Sequence, residues 1–138
     1  MWWTYALLSA VFAALTAILA KLGVKGVDSN VATAVRTSVV LVLAWVVVAV
    51  QGNLAGVTAL PRATLGFLVL SGCATGASWL FYFKALQAGP ASLVSAVDKS
   101  SLALTILLAA LVLGESLSPR TVIGAGLILA GTAVIVWP

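Results

Sequence analysis

Residues 91–113 read ASLVSAVDKSSLALTILLAALVL, a run apolar enough to cross a bilayer that nonetheless carries Asp98 and Lys99 about a third of the way along. On insertion scales each such residue costs roughly 2.5 to 3.5 kcal/mol at the membrane centre. A chain that keeps both there must neutralise them or use them. Gly89-Pro90 precedes the run and places proline at a helix start, and Ser118-Pro119 repeats the device 29 residues later.

Outward from this stretch the rest of the chain follows the same pattern. A helix needs about 20 residues to cross the hydrocarbon core, and four other runs meet or nearly meet that length: Trp2 to Leu22, Val31 to Val50, Ala63 to Ala85 and Pro119 to Trp137. Asp28-Ser29-Asn30 supplies cap residues for the second. The reading is an all-α integral membrane protein of five transmembrane helices, a single domain over residues 1–138. Composition agrees: 63% of the 138 residues are hydrophobic and 7% charged, with a mean hydropathy of +1.24. An average soluble domain has about a quarter of its residues charged. No basic region precedes the first run and further apolar runs follow it, so Met1 to Leu22 reads as a spanning helix rather than a cleaved signal peptide.

Several function classes are hard to build from this composition. The seven Lys and Arg residues that give the net charge of +4 are scattered, without the stripe that nucleic acid requires or the run that an anionic lipid surface attracts. They read as loop charge, and nucleic acid is not an expected partner. The chain has no histidine, which removes His-based metal sites and Ser/His catalysis. One buried carboxylate cannot form a two-carboxylate dyad. Neither an enzyme nor a cofactor is expected. Cys73 is the one cysteine, so no intrachain disulfide forms, and its place in an apolar run suggests a small core residue.

Five crossings put the termini on opposite sides. Arg62 and Arg120 then fall on the N-terminal side and Lys21, Lys25 and Lys84 on the other, with Arg36 and Lys99 dipping in from that second side. The bias toward a cytoplasmic loop after the first helix is weak, and insertion in both orientations is expected. Trp2, Trp3 and Trp137 suit interfacial anchoring, whereas Trp45 and Trp79 lie inside their helices as packing residues or cavity wall. Gly72-xxx-Gly76, Gly126-xxx-Ala130 and the Ala10, Ala14, Ala17 series allow close helix approach.

Helical spacing sets Ser95, Asp98, Ser101, Thr105 and Ala109 on one face of the fourth helix. Lys99 points about 100° away from Asp98, which argues against a mutual salt bridge and sends each to another helix for a partner. Arg36 is the candidate for Asp98, because both lie roughly 8 to 10 Å below the same surface at 1.5 Å per residue. Ser71, Thr75, Ser78 and Tyr82 line a face of the third helix, and Tyr5, Ser9 and Thr16 one of the first. Two readings follow. In one, an internal Arg36–Asp98 pair fixes helix register while Lys99 snorkels to the interface. In the other, a polar cavity open to one side lets Asp98 and its cations bind a solute or exchange a proton. Glu115, after Gly114, is a surface or turn residue in one reading and a gate in the other.

The run from Lys84 to Lys99 (KALQAGPASLVSAVDK), the Leu113-Gly114-Glu115 step and Gly124 to Gly131 (GAGLILAG) occur in the order and spacing of the EamA-type domain of the drug/metabolite transporter superfamily, which the chain resembles over essentially its whole length. Many members of that family fuse two five-helix units, inverted relative to each other because each unit crosses an odd number of times. The resemblance implies that this chain is one unit, half of an inverted-repeat transporter assembled as a homodimer, with an antiparallel arrangement open to it. One departure is clear. The related small multidrug resistance proteins carry an essential carboxylate in their first helix, and here that helix has none.

The function expected is a secondary transporter or exporter in the cell membrane, moving a small polar or amphipathic metabolite by alternating access with possible proton coupling. Asp98 is the coupling carboxylate, Arg36 and Lys99 its electrostatic partners, and Trp79, Tyr82, Ser95, Ser101 and Thr105 parts of the cavity wall. The excess of cations at that depth hints at an anionic or zwitterionic solute. The alternatives are an accessory subunit of a lipid-carrier flippase and a narrow ion channel.

Overall fold

In a computed structural model, which describes residues 1–138, the chain is helical throughout: α1 (Trp2–Gly23), α2 (Ser29–Val50), α3 (Leu54–Thr58), α4 (Arg62–Ala88), α5 (Ala91–Lys99), α6 (Ser101–Leu113) and α7 (Pro119–Val136). Five spans are long and apolar enough to cross a membrane, with α5 and α6 together forming the fourth over Ala91–Leu113. The local chemistry sets the boundaries. The Asp28 carboxylate accepts from the backbone N–H groups of Asn30 and Val31, satisfying two donors that a helix start leaves open. Ser118 does the same for Thr121 at the start of α7, with Pro119 in the first turn, where its missing N–H does no harm. At the far end of α6, Gly114 adopts a left-handed conformation (φ 68°), and the N–H of Glu115 closes back on the Ala109 carbonyl. The backbone of Glu115 is therefore a turn contact.

The third crossing runs further than expected, from Arg62 to Ala88 instead of Ala63 to Ala85, because nothing stops the helix before Gly89-Pro90. The connection between α2 and α4, residues 51–61, contains the short helix α3.

Contacts within the chain group it into two compact units, residues 18–88 and residues 1–17 with 89–138. In the first, α2 packs along α4. The pairing is antiparallel: Gln87 meets Val27 near one end, and Arg36 meets Trp79 and Phe83 further in. Its core is small, built from Ala20, Val24, Phe83 and Leu86 around the buried hydroxyl residues Ser29 and Thr33. Side chains close the turn between α1 and α2, where Lys21 Nζ donates to the Leu86 carbonyl and Gln87 Nε2 to those of Val24 and Val27.

In the second unit α7 packs against both α5 and α6. One hydrogen bond fastens it: Thr132 Oγ1 donates to the Ala96 carbonyl at 3.2 Å.

Large apolar side chains such as Phe12, Phe67 and Leu111 point outward, as they should where hydrocarbon surrounds the helices and burying Leu against Leu gains little over burying it in lipid. Two expectations about small residues fail here. A side chain added at Gly72, Gly76 or Gly126 would meet nothing within 4 Å, so these glycines do not bring backbones together within the chain. Cys73, expected in the core, is exposed; it lies beside Gly72 on a helix surface that no neighbour covers.

Candidate functional site

The fourth span is not one continuous helix. At Ser100 the ladder changes: its N–H bonds to Val97 O, three residues back, at 3.0 Å, and the N–H of Ala103 turns to Ser100 O at 3.1 Å. Such a tightened turn inside a helix has poorer hydrogen-bond geometry than the α-form. Side chains hold it. Ser100 Oγ donates to Val97 O at 2.6 Å, and Ala96 O, four residues before Ser100 and bypassed by its N–H, receives the Thr132 hydroxyl instead. The two intramembrane charges stand immediately before this break.

Asp98 and Lys99 do pair, contrary to the expectation from helical spacing: Lys99 Nζ lies 3.6 Å from Asp98 Oδ2. A rotation of about 100° separates neighbours in a continuous helix, but Lys99 is the last residue of α5, and its long flexible stem can curl back at a helix end. Both side chains are open, 64% exposed for Lys99 and 42% for Asp98. Ser101 and Thr105 continue the exposed polar strip on α6, with Thr105 Oγ1 bonded to Ser101 O at 3.0 Å. Ser95, on α5, is half-buried.

Arg36, in the other unit, has a different environment. Its guanidinium carbon sits 4.0 Å from the centroid of the Trp79 ring and 5.5 Å from that of Phe83, within the range where the ring quadrupole attracts a cation. Arg36 and Trp79 are half-buried and Phe83 is buried. The expected cavity-wall residue Trp79 thus carries the guanidinium. Tyr82 is half-buried on the same turn of α4. The expected partners Arg36 and Asp98 belong to different units, and the contacts described for each lie within its own. Phe83 was not anticipated, although its spacing of four from Trp79 puts both rings on one helix face.

Two cavities lie within the unit of residues 18–88. One, of about 320 Å³, is lined by Thr33, Thr37, Ser38 and Leu41 of α2 and by Gly76 and Leu80 of α4. The three hydroxyls donate to the carbonyls of Ser29, Thr33 and Ala34 on their own helix, so they offer the cavity oxygen lone pairs rather than protons. The other, of about 400 Å³, lies at the α1–α2 turn between Lys21, Lys25 and Gln87.

Comparison with known proteins gives this arrangement a context. The model of the EamA-like transporter family matches residues 1–137. The chain belongs to that family. A Sinorhizobium protein described as an uncharacterized transporter in the cobO 3' region is 44% identical over 134 residues, covering 97% of this chain and 95% of the relative. No solved structure matches. Membership of the EamA-like family, with five apolar spans, makes the chain an integral multi-pass membrane protein of a transporter family. Both findings point to transport rather than catalysis.

Proposed function

We propose that this EamA-like protein is a secondary transporter of the cell membrane that moves a small polar or amphipathic solute by alternating access, with Asp98 as its coupling carboxylate. The observation that carries this reading is an ion pair, exposed on the single chain, at a helix interruption within a membrane span. Interrupted spanning helices are where transporters commonly build their ion and solute sites, because non-helical backbone is tolerated at membrane depth only where protein or a water-filled cavity meets it.

The same exposure supports a homodimer. Asp98, Ser101 and Thr105 cannot face hydrocarbon without a large desolvation penalty, and a second copy would cover them and complete the pathway wall. The near-balance of loop charges favours an antiparallel pair. Ser95 would line the same pathway.

The test is flux. Purified protein in lipid vesicles is screened against panels of small solutes with a proton gradient imposed, while its mass is measured in native lipid. Saturable, gradient-driven uptake and twice the 14.0 kDa chain mass are expected. Conductance without saturation would replace the transporter with a channel, and stable co-purification with a different protein, without flux, would replace it with an accessory subunit.

A further inference from the structure

We propose that the free edge of the Arg36 guanidinium is a binding site for an oxyanion, the carboxylate or phosphate of an organic anion. The inference deepens the transport reading by naming the class of solute.

Arg36 lies seven residues inside a membrane span, about 10 Å along the axis at 1.5 Å per residue, and its head is not lifted to the surface. Trp79 and Phe83 stand nine and five residues from the end of α4 on that side, and the guanidinium sits closer to the deeper ring. It donates no hydrogen bond and joins no ion pair within the chain. The rings offer the cation their quadrupole and no lone pair. A guanidinium carries five N–H donors in its own plane, and the chain gives these no oxygen acceptor.

Within the unit Tyr82 interacts with the guanidinium electrostatically, but no carboxylate is left to pair with it. Among residues 18–88 Asp28 is the one carboxylate, and it is engaged as the cap of α2. Thr33, a turn before Arg36, is buried and presents its proton to Ser29 O. Against that single carboxylate stand Lys21, Lys25, Arg36, Arg62 and Lys84, a charge excess that draws anions toward this half of the chain. The planar fork matches the two oxygens of a carboxylate or phosphate, and the ring contacts hold the head in place before the ligand arrives.

The experiment uses the full chain in phosphatidylcholine nanodiscs, titrated calorimetrically with benzoate and phenyl phosphate, and with benzyl alcohol as the uncharged control. Saturable binding of at least one oxyanion is expected, weakened about tenfold or more in Arg36→Gln, since one charge-assisted hydrogen bond is worth that much. Arg36→Lys, which keeps the charge and loses the fork, should fall between. Trp79→Phe should bind a few-fold more weakly and lose the ligand-induced change in tryptophan fluorescence. Repeating the titration with phosphatidylglycerol in the disc separates the sources: lower probe affinity identifies a lipid headgroup as the oxyanion, and unchanged affinity a soluble one. Absence of binding by the wild-type chain, equal binding by folded Arg36→Gln, or benzyl alcohol bound as tightly as benzoate would overturn the proposal. Wild-type flux of a cationic solute in Arg36→Gln, without oxyanion binding in either protein, would overturn it and leave the transport reading standing. Arg36-dependent binding with no flux of any solute would do the reverse.

Discussion

Two charged places inside membrane spans, one in each unit, are kept by opposite means. At Asp98 and Lys99 two opposite charges sit side by side at a break in the helix, open on the outside of the chain. At Arg36 a single charge sits inside a packed helix pair, held against aromatic faces. The first arrangement is weak as a structural element, since an exposed ion pair contributes about 0 to 1 kcal/mol in water. The second depends on packing: the α2–α4 contact places the rings, and the rings place the charge. The comparison teaches that Asp98 can be changed with little damage to the fold, whereas the surroundings of Arg36 cannot.

The largest effect is therefore expected on function at the exposed site. Asp98→Asn should reduce gradient-driven flux to the level of protein-free vesicles while leaving the mass in native lipid unchanged, as measured by uptake and native mass determination. Undiminished flux would make Asp98 a bystander and erase the contrast.

Next in size comes the packed site. Trp79→Ala removes both a large side chain and the face under Arg36, and should destabilise the protein by about 3 kcal/mol or more, read by denaturant titration in mild detergent. Trp79→Phe, which restores an aromatic face, should recover most of that loss.

A smaller change is expected at the brace of the break. Thr132→Val removes the donor to Ala96 O without much change in volume and should lower stability by about 0.6 kcal/mol, the average for interhelical hydrogen bonds in membranes. Faster amide exchange should accompany it between Val97 and Ala103. A loss several times larger would mean that this bond holds the whole α5–α7 contact.

The smallest effect belongs to Lys99. In detergent-separated single chains, where the pair is exposed, Lys99→Gln should change stability by under about 0.5 kcal/mol, and a larger loss would mean that contacts within the chain depend on the pair.

Orientation gives a separate check. With Cys73 replaced by Ser, single cysteines at Lys25 and Asn53 should each label partly from both sides of intact cells. One-sided labelling would restrict the assembly to a parallel one.

Much of the fold was legible in the sequence. Hydrophobic runs of about 20 residues mark the five crossings, and Asp28, Ser118 and Pro119 mark helix starts because their chemistry is local. The break at Ser100 was not legible. The residues on either side of it are as compatible with a continuous helix, and what maintains it, Thr132, lies 32 residues away. The Asp98–Lys99 pair was missed for the same reason, since the angle between neighbours assumed an unbroken helix. Arg36 and Trp79 stood out as a charge and a large aromatic ring inside apolar runs, but their pairing depends on the α2–α4 register, which one sequence does not state. The glycine stripes misled in the opposite direction: they show where a backbone could approach, and within this chain none does.

The turn between the first two crossings carries a consequence for synthesis. Its carbonyls at Val24 and Val27 receive their hydrogen bonds from Gln87, and Lys21 finds an acceptor at Leu86, residues made about 60 positions later. A ribosome adding about 5 to 20 residues each second needs roughly 3 to 12 seconds to reach them. Throughout that interval the hairpin must sit in the membrane with its latch missing and its lysines in water. Until then Lys21 lacks the acceptor it has in the finished chain, and the turn rests on its own backbone and on the Asp28 cap.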